Sequence, residues 1–173
     1  AGRLVAYGTV LELKDVFAIQ SDIAQRVAEA LKVQLAGKER ESIEKKGTEN
    51  LDAYRDYLLG LFYFNKKTGE SLQKSVDHFQ EAVALDSGYA LAYTGLADSY
   101  TLIGAAGYGT GAQTGHEANA RTAAMKAHEL DPTLAEAHAS LAYIKFRFDW
   151  DWKGAGEEFN KAIELKPDLA DAY

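Results

Sequence analysis

Four residue clusters in this chain could carry chemistry. His116-Glu117-Ala118-Asn119-Ala120 begins like a zinc-binding helix, in which two histidines one turn apart hold the metal and the intervening glutamate activates water. Position 120 is alanine, so the second ligand is missing and the motif fails. His78, His128 and His138 stand in helix-like sequence without companion ligands. Gly104, Gly107, Gly109, Gly111 and Gly115 have the composition of a phosphate loop, but no Gly-Lys-Ser/Thr ending follows and no strand precedes. Phe148-Asp149-Trp150-Asp151-Trp152 sets aromatic faces beside carboxylates, as a sugar or metal site would. Asp151 also stands where a helix N-cap belongs, and the two tryptophans can cover the end of a helix pair, which is the reading we adopt. No nucleophile, base and orienter assemble from what remains. We therefore expect a non-catalytic chain without metal or cofactor, and a plain loop at the glycines.

The bulk properties narrow the function classes further. A net charge of -7 with no concentration of Lys and Arg argues against nucleic-acid binding, which rests on clustered cations. The absence of cysteine removes disulfides, zinc-thiolate sites and thiol nucleophiles together, and leans the expected compartment to the cytoplasm. No apolar run approaches the ~18 residues of a membrane span, and no signal peptide opens the chain. With no initiating Met and an ending at Tyr173 in mid-pattern, the sequence reads as a segment of something longer.

The elements that must position these residues are helices. Residues 1–12 show no clear period and read as a tail or the remnant of a preceding domain. Val16, Ile19, Ile23, Val27, Leu31 and Leu35 step by three or four along one helix face, with Gly37 as its stop and a charged linker to Asn50. From Leu51 the helices come in pairs: Leu51 to Asn65 with Leu72 to Leu85, Ala90 to Leu102 with Glu117 to Leu130, and Leu134 to Phe148 with Trp152 to Leu165. Asp86-Ser87-Gly88, Asp131-Pro132 and Lys166-Pro167 separate the pairs, because proline cannot continue a helix. No stretch alternates with period two for long enough to suggest a sheet, so the expected class is all-α.

The pairs repeat. Ser87, Pro132 and Pro167 are equivalent turn positions, 45 and then 35 residues apart. Large-then-small pairs fall on Leu59-Gly60, Leu96-Ala97 and Leu141-Ala142 in the first helices. In the second helices the pattern is Ser75, Phe79, Ala82, then Ala120, Ala124, Ala127, then Ala155, Phe159, Ala162. Small residues suit close helix crossings, and aromatic ones fill the space between them. On that basis Ala97→Leu should overpack its crossing by about 1 to 3 kcal/mol. Over residues 51–173 this pattern resembles the tetratricopeptide repeat, a helix-turn-helix unit of 34 residues, with a departure at Asp56 and His138, which stand at bulky opening positions, at Ala124, which replaces an aromatic, and at Lys145. The Gly-rich stretch is then an insertion of about ten residues relative to the family length. A second resemblance covers residues 13–36, which are similar to the helix that joins a TolB-like amino-terminal domain to tetratricopeptide repeats in bacterial signalling proteins.

The resemblance implies a short right-handed solenoid whose first helices line a concave groove. By family analogy the groove positions are Tyr54, Tyr57, Leu61, Phe64 and Asn65, then Leu91, Thr94, Asp98, Thr101 and Leu102, then Glu136, Ala139, Tyr143, Phe146 and Arg147. Five aromatics among them suit an apolar peptide or helix of a protein partner. The Lys and Asn set by which chaperone-binding members clamp a terminal carboxylate is absent. The expected function is a protein-interaction scaffold within a larger bacterial signalling protein. The alternatives are a homo-oligomerisation module using the exposed carboxy-terminal repeat and a small-molecule sensor region.

Overall fold

A computed structural model describes residues 3–6, 9–12, 47–104 and 115–169. The chain divides into two units, Ala1–Leu51 and Asp52–Tyr173. In the first, β1 (Arg3–Ala6) and β2 (Thr9–Glu12) form an antiparallel pair in which Arg3 is opposite Glu12, Leu4 opposite Leu11, Val5 opposite Val10 and Ala6 opposite Thr9. Residues 1–12, read from sequence as a tail or the remnant of a preceding domain, thus carry two paired strands where no clear period was visible. Each strand has four residues, at the lower limit for a period-two pattern to register, and the usable signal was Leu4-Val5 and Thr9-Val10-Leu11 on either side of Tyr7-Gly8. The helix expected between residues 13 and 36 lies outside the described residues.

The second unit is all helical in secondary structure. α1 (Leu51–Phe64), α2 (Gly69–Leu85), α3 (Ala90–Gly104), α4 (His116–Leu130), α5 (Ala135–Ile144) and α6 (Trp152–Leu165) are joined by short turns, apart from the glycine-rich stretch, which lies outside the described residues between 105 and 114. None of the described helices is long and apolar enough to cross a membrane. α2 starts three residues earlier than the apolar pattern indicates, because Thr68 caps it. The Thr68 hydroxyl accepts the Ser71 N–H, and the Ser71 hydroxyl accepts the Thr68 N–H, the reciprocal arrangement of a capping box.

The repeat is visible in the backbone. Asp86, Asp131 and Lys166 end α2, α4 and α6 with nearly one conformation, φ/ψ of -143/98, -144/92 and -144/91 degrees. Each donates its N–H to the carbonyl of Ala82, Ala127 or Ala162 four residues back. Each then accepts the N–H of the third residue on, Tyr89, Leu134 or Leu169, at 3.1 Å. Aspartate and lysine thus follow one backbone path at equivalent positions.

The central packing element is Phe79, fully buried between α1 and α3. Its ring lies against Gly60 and Gly95, the two positions where a Cβ would strike it. Beside it, Ser75 Oγ donates to Gly60 O at 2.9 Å and lies 2.9 Å from Ser99 Oγ, while Ser99 Oγ lies 2.7 Å from Gly95 O. These buried hydroxyls are therefore satisfied, as burial requires. Leu72, Val76, Leu96, Ala97, Tyr100, Ile103, Ala120, Ala124 and Ile144 complete the same core. Ala135, Ala139, Ala162 and Leu169 form a second one with Phe159 and Ile163. Polar residues at bulky positions are accommodated by pairing: buried Asp56 with Arg55 and His78, each at 3.0 Å, and buried His138 with Glu158 at 2.7 Å and Pro132 O at 3.1 Å.

The stretch expected as one helix from Leu134 to Phe148 is two elements. α5 ends at Ile144, and Lys145–Asp149 forms a π-helical turn closed by the Trp150 and Asp151 N–H groups, both donating to Lys145 O. Trp150 has φ 55 degrees, a left-handed conformation rare for a bulky residue. Asp151 then caps α6 as expected, its carboxylate accepting the Gly154 N–H at 2.9 Å. The tryptophans do not cover the helix pair: Trp150 and Trp152 are 69% and 60% exposed. They pack on each other at 5.9 Å, and Phe146 packs edge-on to Trp152 at 5.0 Å.

Candidate functional site

A groove of about 400 Å³ is bounded by α1, α3 and α5. α1 supplies Tyr57, Leu61 and Phe64, with Asn65 and Lys67 following it. α3 supplies Leu91, Thr94, Asp98, Thr101 and Leu102, and α5 with its π-helical extension supplies Glu136, Ala139, Ser140, Tyr143 and Arg147. These positions converge because the first helix of each pair turns one face to the same side, recurring at three or four residues.

Of the residues expected there from sequence, Tyr54 and Phe146 do not line the groove. Tyr54 stacks on Tyr57, with ring centroids 6.5 Å apart. Phe146 is three residues beyond Tyr143, which in an α-helix would put both on one face. Arg147, four residues beyond Tyr143, lines the groove as expected, whereas the wider π-turn carries Phe146 out to Trp152. Five lining residues were missed: Lys67, Phe79, Gly95, Ser140 and Leu169. The polar break after Phe64 was the available signal for Lys67.

The polar groups divide into those already engaged and those directed at the groove. Thr94 and Thr101 are buried and donate to Leu91 O and Ala97 O, each at 2.8 Å. Ser140 Oγ donates to Asp98 at 2.7 Å, linking α5 to α3. Lys166 Nζ donates to Glu136 at 2.8 Å. Burial works against the Lys166 charge, and the Glu136 contact outweighs it, so its ammonium is held above the ordinary lysine value. Tyr57 is pushed up to about 12, first by burial and then by the charges of Glu136, Tyr54 and Asp98, and it presents a neutral phenol to the groove. At the other end, Lys67 Nζ sits 4.6 Å over the Phe64 ring. Tyr143 is 37% exposed, with its ring edge-on to Phe159 at 5.3 Å.

A broader depression of about 930 Å³ runs over α3 and α4, lined by Tyr93, Leu96, Tyr100, Ala123 and Met125 among others. It lies where α4 is alanine-rich and Ala124 takes an aromatic position. Among the described residues no group of three or more His, Asp or Glu is placed to hold a metal ion. His78 pairs with Asp56 and stacks on Tyr63 at 5.4 Å, and His128 meets His138 edge-on at 4.9 Å. The Nδ1 atoms of His116 and His128 are buried without a hydrogen-bond partner. No protein-family model matches the chain, and a search of curated proteins finds no match.

Proposed function

We propose that the helical unit is a tetratricopeptide-type array acting as a non-catalytic scaffold that binds a peptide or helix of a protein partner in the groove between α1, α3 and α5. The observation that carries this reading is the convergence of Tyr57, Leu61, Phe64, Leu102 and Tyr143 with polar Asn65, Asp98 and Arg147 in one largely apolar groove. The three matching turns support the repeat, and so does the π-helical turn. Pro132 and Pro167 are 35 residues apart, one more than the 34 of the family unit, and a π-turn is the local means by which a helix absorbs one extra residue. Membership in a larger bacterial signalling protein is part of the same proposal and rests on the likeness of residues 13–36.

The test is a display selection of random peptides against the full chain, followed by binding measurements on Asn65→Trp. Asn65 is exposed at the groove end, so the indole fills the groove without entering the core. Selected peptides should lose binding to this variant while its far-UV circular dichroism stays unchanged. Peptides that bind it as tightly as the unmodified chain would place recognition elsewhere.

Self-association is the second reading, favoured by the exposure of Trp150, Trp152 and Phe146 outside the groove. Light scattering that gives a monomer at all concentrations would remove it.

A further inference from the structure

The groove has unequal ends. Between residues 47 and 169, every described lysine and arginine pairs with a carboxylate except Lys66, Lys67 and Arg147. Lys67 and Arg147 both line the groove, at the end formed by the last turn of α1 and the π-helical turn after α5. The exposed Asn65 lines the same groove, and its amide makes no side-chain hydrogen bond among the described residues. The carboxylates of the groove are already engaged, Asp98 by Ser140 and Glu136 by Lys166. One end therefore offers three unsatisfied sets of donors, two of them cationic, in a chain whose net charge is -7.

The backbone supplies an independent observation. Lys67 has φ 51 degrees, in the left-handed region where glycine or asparagine costs less. A left-handed residue is a common way for a helix to end, and here the position is filled by lysine rather than glycine or asparagine. That side chain lies over Phe64 at the groove end.

We infer that the groove is directional and takes an amphipathic peptide segment carrying an Asp or Glu side chain at the Lys67–Arg147 end. The apolar residues of the peptide lie on Leu61, Leu102 and Tyr143, and the carboxylate accepts hydrogen bonds from Arg147, Lys67 and Asn65. Charge-assisted bonds of this kind fix orientation as well as affinity. The inference rests on the groove being the binding surface.

The experiment uses the peptides selected on the full chain, resynthesised with amidated carboxy termini and titrated by fluorescence anisotropy. Their sequences should place Asp or Glu at one end of a spaced apolar pattern. Replacing that residue by Gln, or changing Arg147→Glu together with Lys67→Glu, should weaken binding by about tenfold. The double variant selected afresh should enrich Lys or Arg at the same position. Lys67→Gly removes the cation while relieving the left-handed backbone: it should raise the melting temperature while lowering affinity for the acidic peptide. Equal binding of the Glu and Gln peptides to the unmodified chain, with Asn65→Trp still abolishing both, would overturn the directional inference and leave the groove intact. Loss of binding on amidation alone would assign the site to a terminal carboxylate and overturn the side-chain assignment. Peptides indifferent to Asn65→Trp would overturn the groove itself.

Discussion

Gly95→Ala is the substitution whose sign the packing around Phe79 decides. A methyl group on Gly95 would fall 2.5 Å from Phe79 Cε1 and 2.7 Å from Cε2, and closer still to Cζ. All three atoms belong to a ring with no solvent exposure, held on its other side by Gly60, where a Cβ would meet it at 2.6 Å. The ring has nowhere to retreat, so the overpacking cost should be at the upper end of about 1 to 3 kcal/mol. Alanine replaces glycine inside a helix, which returns about 1 kcal/mol. The net expectation is a loss of about 1 to 2 kcal/mol. In a Phe79→Leu background the three offending atoms are gone. The cavity lowers the starting stability, but Gly95→Ala there should stabilise by about 1 kcal/mol. Urea denaturation followed by circular dichroism on the four proteins measures the cycle, with a coupling of about 2 to 3 kcal/mol expected. A Gly95→Ala protein more stable than the parent, or an equal effect in both backgrounds, would refute the sandwich of Phe79 between α1 and α3.

Trp150→Gly should raise stability by about 1 kcal/mol by relieving a left-handed bulky residue, since its ring is 69% exposed and contributes little burial. The corresponding rise in melting temperature is about 3 °C, and a fall would mean that the packing of Trp150 on Trp152 matters more than its backbone. For Glu158, burial alone would raise its pKa, but the contacts with His138 and Lys145 win and hold it below the ordinary 4.5. A depressed carboxylate contributes stability that is complete above the unfolded value and is lost as pH falls through the lower folded one. Glu158→Gln should therefore flatten the decline in stability below about pH 4.5, and an unchanged acid limb in pH-dependent urea titrations would contradict the assignment. Asp149, held low first by its hydrogen bonds with Arg121, acts in the same direction.

What the sequence made legible follows the range of the forces involved. The helices and their order came from apolar spacing, and the three turns from Asp-Pro, Lys-Pro and Asp-Ser-Gly punctuation, all local signals. The Asp151 cap was legible for the same reason. Most of the groove was legible too, because positions three and four residues apart on first helices share a face. Phe146 was misplaced because that rule holds only while the helix is α, and the π-turn at Lys145–Asp149 changes the rotation per residue. The exposure of Trp150 and Trp152 could not be read from type, since tryptophan composition favours burial. Nor could the conformation of Lys67, where no glycine announces a left-handed residue.

The departures from the repeat pattern also distribute the constraints on the groove. Asp56 with His78 ties α1 to α2, and His138 with Glu158 ties α5 to α6, so each outer pair carries a polar contact between its two helices in place of a bulky side chain. Such contacts fix the helices within a pair and say nothing about the distance from one pair to the next. That distance is set elsewhere: by Phe79 between Gly60 and Gly95, by Ser75 with Ser99, and by Ser140 with Asp98. The groove is walled by α1, α3 and α5, one helix from each pair, so its width depends on these contacts between pairs. A Cβ on Gly95 would therefore act on the groove as well as on stability, by forcing α3 away from α2 and altering the spacing of Leu61 and Leu102. Loosening Ser140 from Asp98 would release the α5 wall without touching the core around Phe79. The same backbone thus separates what holds a pair together from what sets the aperture, and the second set is where substitutions can change binding while the helices remain intact.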